Sequence, residues 1–130
     1  MPGAETAFGK FLRCRREQRQ LSLRELAVLS SVDHAYIHRL ETGEKESPSS
    51  EIIERLIRPL KIEGREAEVF RILARIDAPQ DLVDLVLSDD AIDVRDFESA
   101  AQIKYRGKAR PKWKTVISQI RSVREAIERG

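Results

Sequence analysis

The chain has 130 residues, of which 41% are hydrophobic and 35% are charged, and its formal net charge at pH 7 is +2. A chain of this length buries one proper core and at most a small second one, which argues against a large multidomain protein. No apolar run approaches the roughly 20 residues that cross a bilayer, and residues 1–10 lack the apolar stretch of a secretion signal. We therefore expect a cytoplasmic location and no association with a membrane.

The first predicted element is a helix from Thr6 to about Gln18. Its apolar spacing turns three side chains inward, namely Phe8, Phe11 and Leu12. The lone cysteine, Cys14, lies in this pattern and excludes both an internal disulfide and a cysteine-based zinc site. We expect Cys14 to be buried as a small hydrophobic residue.

A basic cluster lies within this helix and just after it. Charge runs of this kind are either solvated helix faces or phosphate-binding surfaces. The segment from Ser22 to Gly43, described next, favours the phosphate-binding alternative over a solvated helix face. The cluster consists of Lys10, Arg13, Arg15, Arg16, Arg19 and Arg24, against Glu17 as its one acid.

The most informative segment runs from Ser22 to Gly43. Ser22 and Glu25 have the spacing of a capping box, which predicts a helix that begins near Leu23. Its expected inward residues are Leu26, Ala27 and Leu29. A compact corner then follows at Ser30, Ser31 and Val32, where the helical periodicity breaks.

A second short helix follows this corner. Asp33 is a suitable cap for it, Ile37 and Leu40 form its inner face, and Gly43 ends it. The outward side chains are those of His34, Ala35, Tyr36, His38 and Arg39. Tyr36 has an alternative, which is partial packing on the preceding helix with its hydroxyl in water.

Residues 21–43, LSLRELAVLSSVDHAYIHRLETG, resemble the helix-turn-helix of the Xre and lambdoid phage repressor family. The likeness extends to Arg16 and Glu41, which match a pair that ties helix 1 to helix 3 in that family, and to residues 48–62, which resemble its helix 4. The resemblance implies an all-α fold whose first domain is a five-helix, lambda-repressor-like head. It also implies a transcriptional repressor that binds double-stranded DNA.

The resemblance further implies roles for individual residues. Helix 3 would enter the major groove, where the base-reading residues are His34, Ala35, Tyr36, His38 and Arg39, with Arg39 the best candidate for guanine. The residues that would hold the DNA backbone are Ser22, Leu23 through its N–H, Arg24, Lys45 and Ser49. His34 and His38 also have a zinc-binding spacing, but a third ligand and an intervening Glu are absent, so we expect no metal and no cofactor.

Three residues depart from the family pattern. Leu23 stands where a Gln often holds phosphate, and Ser31 replaces the glycine of the turn. Pro59 lies where helix 4 normally continues, and it predicts a kink or an early end because proline removes an N–H and clashes with the preceding turn.

The pattern continues with a fifth helix from Arg65 to Ile76, after which Asp77-Ala78-Pro79 interrupts it. We therefore expect a DNA-binding domain in residues 1–76 and a small helical dimerisation and regulatory unit in residues 77–130. The second unit should contain a helix over residues 81–88, another from Asp93 to about Tyr105, a basic loop, and a last helix that begins at Pro111.

Charge is segregated within this second unit. Residues 77–103 hold one basic and eight acidic side chains, whereas residues 104–130 hold nine and two. The acidic helices and the basic ones can therefore neutralise each other.

The last helix carries an apolar stripe made of Trp113, Val116, Ile117, Ile120, Val123 and Ile127. Burying six such side chains represents on the order of 10 kcal/mol, as an upper estimate, so the stripe must dock on something. The alternatives are docking within the same chain and a two-fold dimer interface. We favour the homodimer, because readers of this class place two heads about 34 Å apart.

The loop between the last two helices permits a narrower comparison. Residues 106–111, RGKARP, with the flanking helices resemble the C-terminal part of DdrO-type repressors, which a metallopeptidase of the ImmA/IrrE type inactivates. The resemblance places the cleaved bond at Tyr105–Arg106 and implies release of the last helix. The alternative is a plain interdomain loop.

Enzymatic activity is not expected. The sequence shows no nucleophile beside a base, no glycine-rich phosphate loop and no cluster of metal ligands, so no residue is assigned a catalytic role. The rival function is an antitoxin-type protein whose C-terminal half neutralises a partner toxin while the first domain autoregulates. A tail that is disordered alone would favour that function, whereas the periodic stripe favours self-association.

Overall fold

The computed structural model describes residues 5–45, 47–103 and 111–130. Within these ranges all regular structure is α-helical, which confirms the all-α prediction. The helices are α1 (Ala7–Gln18), α2 (Leu23–Ser30), α3 (His34–Thr42), α4 (Ser50–Leu60), α5 (Gly64–Leu73), α6 (Gln80–Ser88), α7 (Val94–Ala101) and α8 (Trp113–Arg129). The chain divides into two compact units, Met1–Asp77 and Ala78–Gly130.

Small polar residues fix where the helices of the first unit begin. Thr6 caps α1 by accepting the N–H of Gly9 at 2.9 Å. At the start of α2, the Glu25 N–H donates to Ser22 Oγ at 3.0 Å and the Ser22 N–H donates to Glu25 Oε1 at 2.9 Å, which completes the capping box. Because these bonds join residues only three apart, the sequence locates them directly.

The core of the first unit is apolar and tightly closed. The largest fully buried side chains there are those of Leu12, Leu26, Ile37, Leu40, Leu56, Leu60, Val69 and Phe70. Phe70 of α5 lies against both inward rings of α1, with ring centroids 4.7 Å from Phe8 and 5.2 Å from Phe11. Helix α5 therefore packs against α1 and shields this part of the core from solvent.

Gly9 allows α1 to approach α3 at backbone distance. A Cβ atom built on Gly9 would lie 2.6 Å from the carbonyl oxygens of both Leu40 and Glu41. Real Cβ atoms do not approach an oxygen so closely, so any side chain here would push the two helices apart. The last turn of α3 is thus held directly against α1.

Two predictions about burial in this unit are wrong. Cys14 is exposed, because it lies two residues and about 200° around α1 from buried Leu12. Leu29 is 59% exposed, because α2 buries the side that carries Leu26 and Ser30 against its neighbours. Val28 lies still farther from that side and is 80% exposed.

The structure fixes two helix ends that the sequence addressed. Pro59 lies in the last turn of α4, and the helix ends one residue later as Lys61 adopts a left-handed conformation with φ 53°. Helix α7 stops at Ala101 rather than near Tyr105, because the Ile103 N–H donates to the carbonyl of Ala100 and tightens the chain into a turn. The basic loop and the candidate bond Tyr105–Arg106 lie outside the described residues.

The second unit packs α6, α7 and α8 around a small core. Its fully buried side chains include Leu82, Val83, Val86 and Phe97, and the first turns of α8 add Trp113 and Ile117. Trp113 is 7% exposed and Ile117 is 5% exposed, so their assignment to a dimer face is wrong. They face the interior of their own unit. In the described ranges, no helix has the length and apolarity that crossing a bilayer requires.

Candidate nucleic-acid interface

The corner between α2 and α3 depends on two serines. Ser31 adopts the left-handed conformation at φ 59°, the position where the resembled family carries glycine. The buried Ser30 Oγ accepts the N–H of Val32 at 3.3 Å, which satisfies a backbone donor that the turn would otherwise leave unpaired. The turn therefore keeps its geometry without a glycine.

A bidentate ion pair holds α3 against α1. Arg16 Nε donates to Glu41 Oε2 at 2.7 Å, and Arg16 Nη2 donates to Glu41 Oε1 at 2.9 Å. The third contact runs from Arg16 Nη1 to the carbonyl oxygen of Leu21 at 2.9 Å, just before α2 begins. The hydrogen bond to Glu41 raises the pKa of Arg16, so the guanidinium stays charged. One side chain thus joins α1, the start of α2 and the end of α3.

The outward face of α3 carries the predicted base-reading residues together. His38 is exposed, and the half-buried members are His34, Ala35, Tyr36 and Arg39. The half-burial of Tyr36 suits a ring that lies partly on its neighbours and keeps an accessible edge. Ile37 and Leu40 anchor the opposite face of the same helix with no exposed surface.

Arg39 has an unsatisfied donor. Its Nε atom is buried and has no hydrogen-bond partner in the part of the chain that the structure describes. A buried guanidinium N–H without a partner is costly, and this atom could meet a partner from outside the protein only if the side chain moved to expose it. The guanine edge presents two acceptors in the geometry that an arginine fork matches.

The predicted phosphate contacts lie at two helix starts and on two exposed cations. Ser22 caps α2, and Ser49 caps α4 by accepting the N–H of Ile52 at 3.3 Å, which leaves each hydroxyl hydrogen able to donate. Arg24 and Lys45 are exposed and form no ion pair with any described residue. Leu23 is half-buried, and only its backbone N–H can serve a phosphate.

Half of the predicted basic cluster is already paired within the protein. Arg13 lies 2.8 Å from Glu5, Arg15 pairs with Glu66 on α5, and Arg16 pairs with Glu41. Only the Arg16 pair is enclosed, so Arg16 serves the fold, whereas the pairs of Arg13 and Arg15 are partly exposed to solvent. Among the described residues, the members without a carboxylate partner are Lys10, Arg19 and Arg24.

No group of three or more metal-ligating side chains occurs among the described residues. His34 Nδ1 lies 3.9 Å from Asp33 Oδ1, and the other oxygen of this carboxylate, Oδ2, caps α3 by accepting the N–H of Tyr36 at 3.2 Å. The histidines thus share a helix face with groups suited to DNA.

Sequence reasoning missed Gly9, on which the position of α3 depends. The available signal was a glycine in a helix interior, where it costs about 0.5–1 kcal/mol relative to alanine and so requires a reason.

Comparison with known proteins agrees with this geometry. The family described as "Helix-turn-helix domain" matches residues 7–70. An uncharacterised HTH-type transcriptional regulator of Mycobacterium tuberculosis, matched in strains H37Rv and CDC 1551, is 31% identical over 90 residues, which cover 67% of this chain and 61% of the relative. The HTH-type transcriptional repressor RghR of Bacillus subtilis is 41% identical over 56 residues, 43% of this chain and 42% of that protein.

The chain thus spans about three fifths of the length of the mycobacterial relatives. Residues 7–70 form a helix-turn-helix domain. The chain is similar to HTH-type transcriptional regulators over 90 and 56 residues.

Proposed function

We propose that the chain is a sequence-specific DNA-binding transcriptional repressor that binds double-stranded DNA as a homodimer. The observation that carries the proposal is α3. The Arg16–Glu41 pair fixes this helix from behind, and its outward side carries half-buried Arg39, whose Nε has no partner among the described residues. A rigid helix with an unsatisfied fork donor is equipped for major-groove reading.

Two sets of side chains would make the two kinds of DNA contact, to base edges and to phosphates. Arg39, with His34, Tyr36 and His38, would read base edges, and Ala35 would lie against a thymine methyl group. The exposed cations Arg24 and Lys45, with the capped starts of α2 and α4, would hold phosphates without reading sequence. Two such heads on one inverted repeat would give steep salt dependence.

Operator selection from random DNA tests this function directly. The full chain should enrich an inverted repeat, and binding to it should weaken about 1,000-fold or more between 50 and 200 mM salt. Arg39→Ala should relax specificity at one base pair of each half-site, at a cost of about 1–3 kcal/mol. Lys45→Ala is the matched control, because it should weaken all sequences equally and lower the salt slope. Failure to select any site would overturn the proposal.

We further propose that loss of α8 switches the repressor off, through cleavage at Tyr105–Arg106 by a partner metallopeptidase. The resemblance in residues 106–111 supports this switch. So does the burial of Trp113 and Ile117, because removing α8 would strip both from the core of the second unit. Incubation with such a peptidase should yield a fragment that ends at Tyr105, by mass, and should abolish binding to the inverted repeat. An intact chain would refute the switch.

A second candidate function is an antitoxin that neutralises a partner toxin through its C-terminal half. The exposed apolar side chains Val123 and Ile127 favour it, since a partner protein would cover them equally well. The two candidates differ in the isolated chain. An antitoxin leaves that surface open until its toxin binds, whereas a repressor dimer covers it without any other protein.

A further inference from the structure

A small cleft of the first unit lies between the start of α1, the end of α5 and the loop that follows α3. Its volume is about 60 Å³. Two cations and one acid are among the residues that line it, namely Lys45, Arg75 and Asp77. The cleft therefore holds a carboxylate together with Lys45, a cation that we assign to the DNA backbone.

Backbone hydrogen bonds place Asp77 in this cleft. After α5 the N–H groups of Arg75 and Ile76 both donate to the carbonyl of Ile72 at 2.9 Å, which turns the chain. Asp77 Oδ1 then accepts the N–H of Ala7, the first residue of α1, at 3.3 Å. The N–H groups at a helix start have no partner within the helix, so this bond satisfies one of them. It requires an acceptor oxygen and no charge.

Lys45 is fixed through its backbone to the helix that we propose reads DNA. Its N–H donates to the carbonyl of Arg39 at 3.0 Å. Its side chain is exposed and forms no ion pair with any residue of the described ranges. The lysine stem is flexible, so its ammonium group can turn either toward the Asp77 carboxylate or toward a DNA phosphate.

The carboxylate and the phosphate attract the same ammonium group. The Asp77 charge also repels any phosphate that binds at Lys45, because like charges interact across several ångströms near a protein surface. Asp77 is exposed, so salt screens this field beyond about 10 Å at 0.1 M ionic strength. Both effects weaken contacts to the DNA backbone, and neither depends on the base sequence.

We propose that Asp77 lowers the affinity of the first unit for the DNA backbone by competing with phosphate for Lys45. This inference rests on the proposed DNA-binding function and adds to it an acidic residue that limits affinity. Asp77 is also the last residue of the first unit, and the chain continues into the second unit at Ala78. Phosphate binding is therefore adjusted at the point where the second unit is attached.

Asp77→Asn tests the inference in the full-length chain. Asparagine keeps an oxygen that can accept the Ala7 N–H, and it removes the charge. We expect D77N to bind a duplex of random sequence roughly threefold more tightly than the parent chain at about 50 mM salt, and the gain should vanish at about 500 mM. A carboxylate that served only the fold would give no gain on removal. Unchanged or weaker binding by D77N at the lower salt concentration would therefore overturn the inference.

Glu63→Gln is the matched control, since it removes the same charge from an exposed residue at the other end of α5. Helix α5 has 10 residues and so spans about 15 Å, which is longer than the screening length. E63Q should therefore bind the duplex as the parent chain does. A gain in E63Q equal to that in D77N would mean that net charge alone sets the affinity, and the inference would fail.

A double-mutant cycle asks whether Asp77 acts through Lys45. In a Lys45→Ala background, D77N should give less than half of the gain that it gives in the parent chain. An undiminished gain there would refute the competition. Thermal unfolding by circular dichroism checks the fold of each variant. If D77N melts below the parent chain, Asp77→Ser replaces it, because a serine hydroxyl also accepts a backbone N–H.

The random duplex separates this inference from the proposed function. Phosphate contacts act on any sequence, whereas base reading acts only on selected sites. If the parent chain selects an inverted repeat and D77N gains no affinity, the competition alone is refuted. If the chain selects no site but D77N gains affinity for the random duplex, the repressor function alone is refuted.

Discussion

Replacing Glu41 with Gln should destabilise the first unit severely, because it leaves the Arg16 charge without its partner. The two side chains are nearly enclosed, with 13% of Arg16 and 3% of Glu41 exposed. Removing one partner of a buried pair costs about 3–5 kcal/mol, and we expect about 3 because Arg16 keeps its bond to the Leu21 carbonyl. For a unit of this size that loss lowers the melting temperature by about 12–24 °C.

Thermal unfolding followed by circular dichroism measures this change, and Glu66→Gln is the matched control. Glu66 also pairs with an α1 arginine, Arg15, but its side chain is 50% exposed. An exposed pair contributes about 0–1 kcal/mol, so E66Q should melt within a few degrees of the parent. Similar melting of E41Q and E66Q would refute the view that the enclosed pair sets the position of α3. At temperatures where E41Q remains folded, its DNA affinity should also fall.

Three other perturbations follow from single observations. Gly9→Ala should cost about 1–3 kcal/mol in thermal unfolding, because its Cβ meets two carbonyl oxygens, and an unchanged melt would contradict the contact. Arg95 and Arg124 lower the pKa of Asp93 to about 2, which is below its unfolded value, so the stability that Asp93 contributes is present above pH 4 and lost toward pH 2. Asp93→Asn keeps a side chain that can cap the helix. Between pH 4 and pH 2 the free energy of unfolding of this variant should change by about 1 kcal/mol less than that of the parent chain. An unchanged pH profile would argue against the pairing of Asp93 with the two arginines. Arg39→Lys should lose discrimination at the guanine position in competition binding, since lysine cannot form the fork; equal discrimination would remove Arg39 from base reading.

Local interactions made much of the first unit predictable from its sequence. The starts of α2, α3 and α4 follow from capping residues that bond to an N–H three positions later, at Ser22, Asp33 and Ser49. Pro59 indicated the end of α4 for the same reason, since its effect on the backbone is local. The geometry of the Arg16–Glu41 pair is not local, and only the family resemblance pointed to it.

The errors concern which side of a helix is covered and by what. Periodicity assigned Leu29 and Cys14 to inward faces, but both are exposed. How much of a helix face is buried depends on how far the neighbouring helices extend over it, and the sequence pattern of one helix does not give that extent. The α8 stripe was predicted as one interface. It is divided, because Trp113 and Ile117 are buried in their own unit whereas Val123 is exposed to solvent. A pattern thus identifies an apolar face and leaves open whether the covering partner is internal or external.

The arginines of the first unit differ in whether their donors have hydrogen-bond partners, and this difference bears on which of them act in the fold and which in function. Arg13, Arg15 and Arg16 on α1 all have carboxylate partners within the unit, and the enclosed pair of Arg16 is the one on which the fold depends. Arg39 on α3 has a buried donor without a partner in the described structure, although the fold could have supplied an acceptor as it did for Arg16. Leaving that donor unpaired lowers the stability of the free protein. That difference, rather than the number of basic residues, is the reason we propose α3 as the DNA-reading surface.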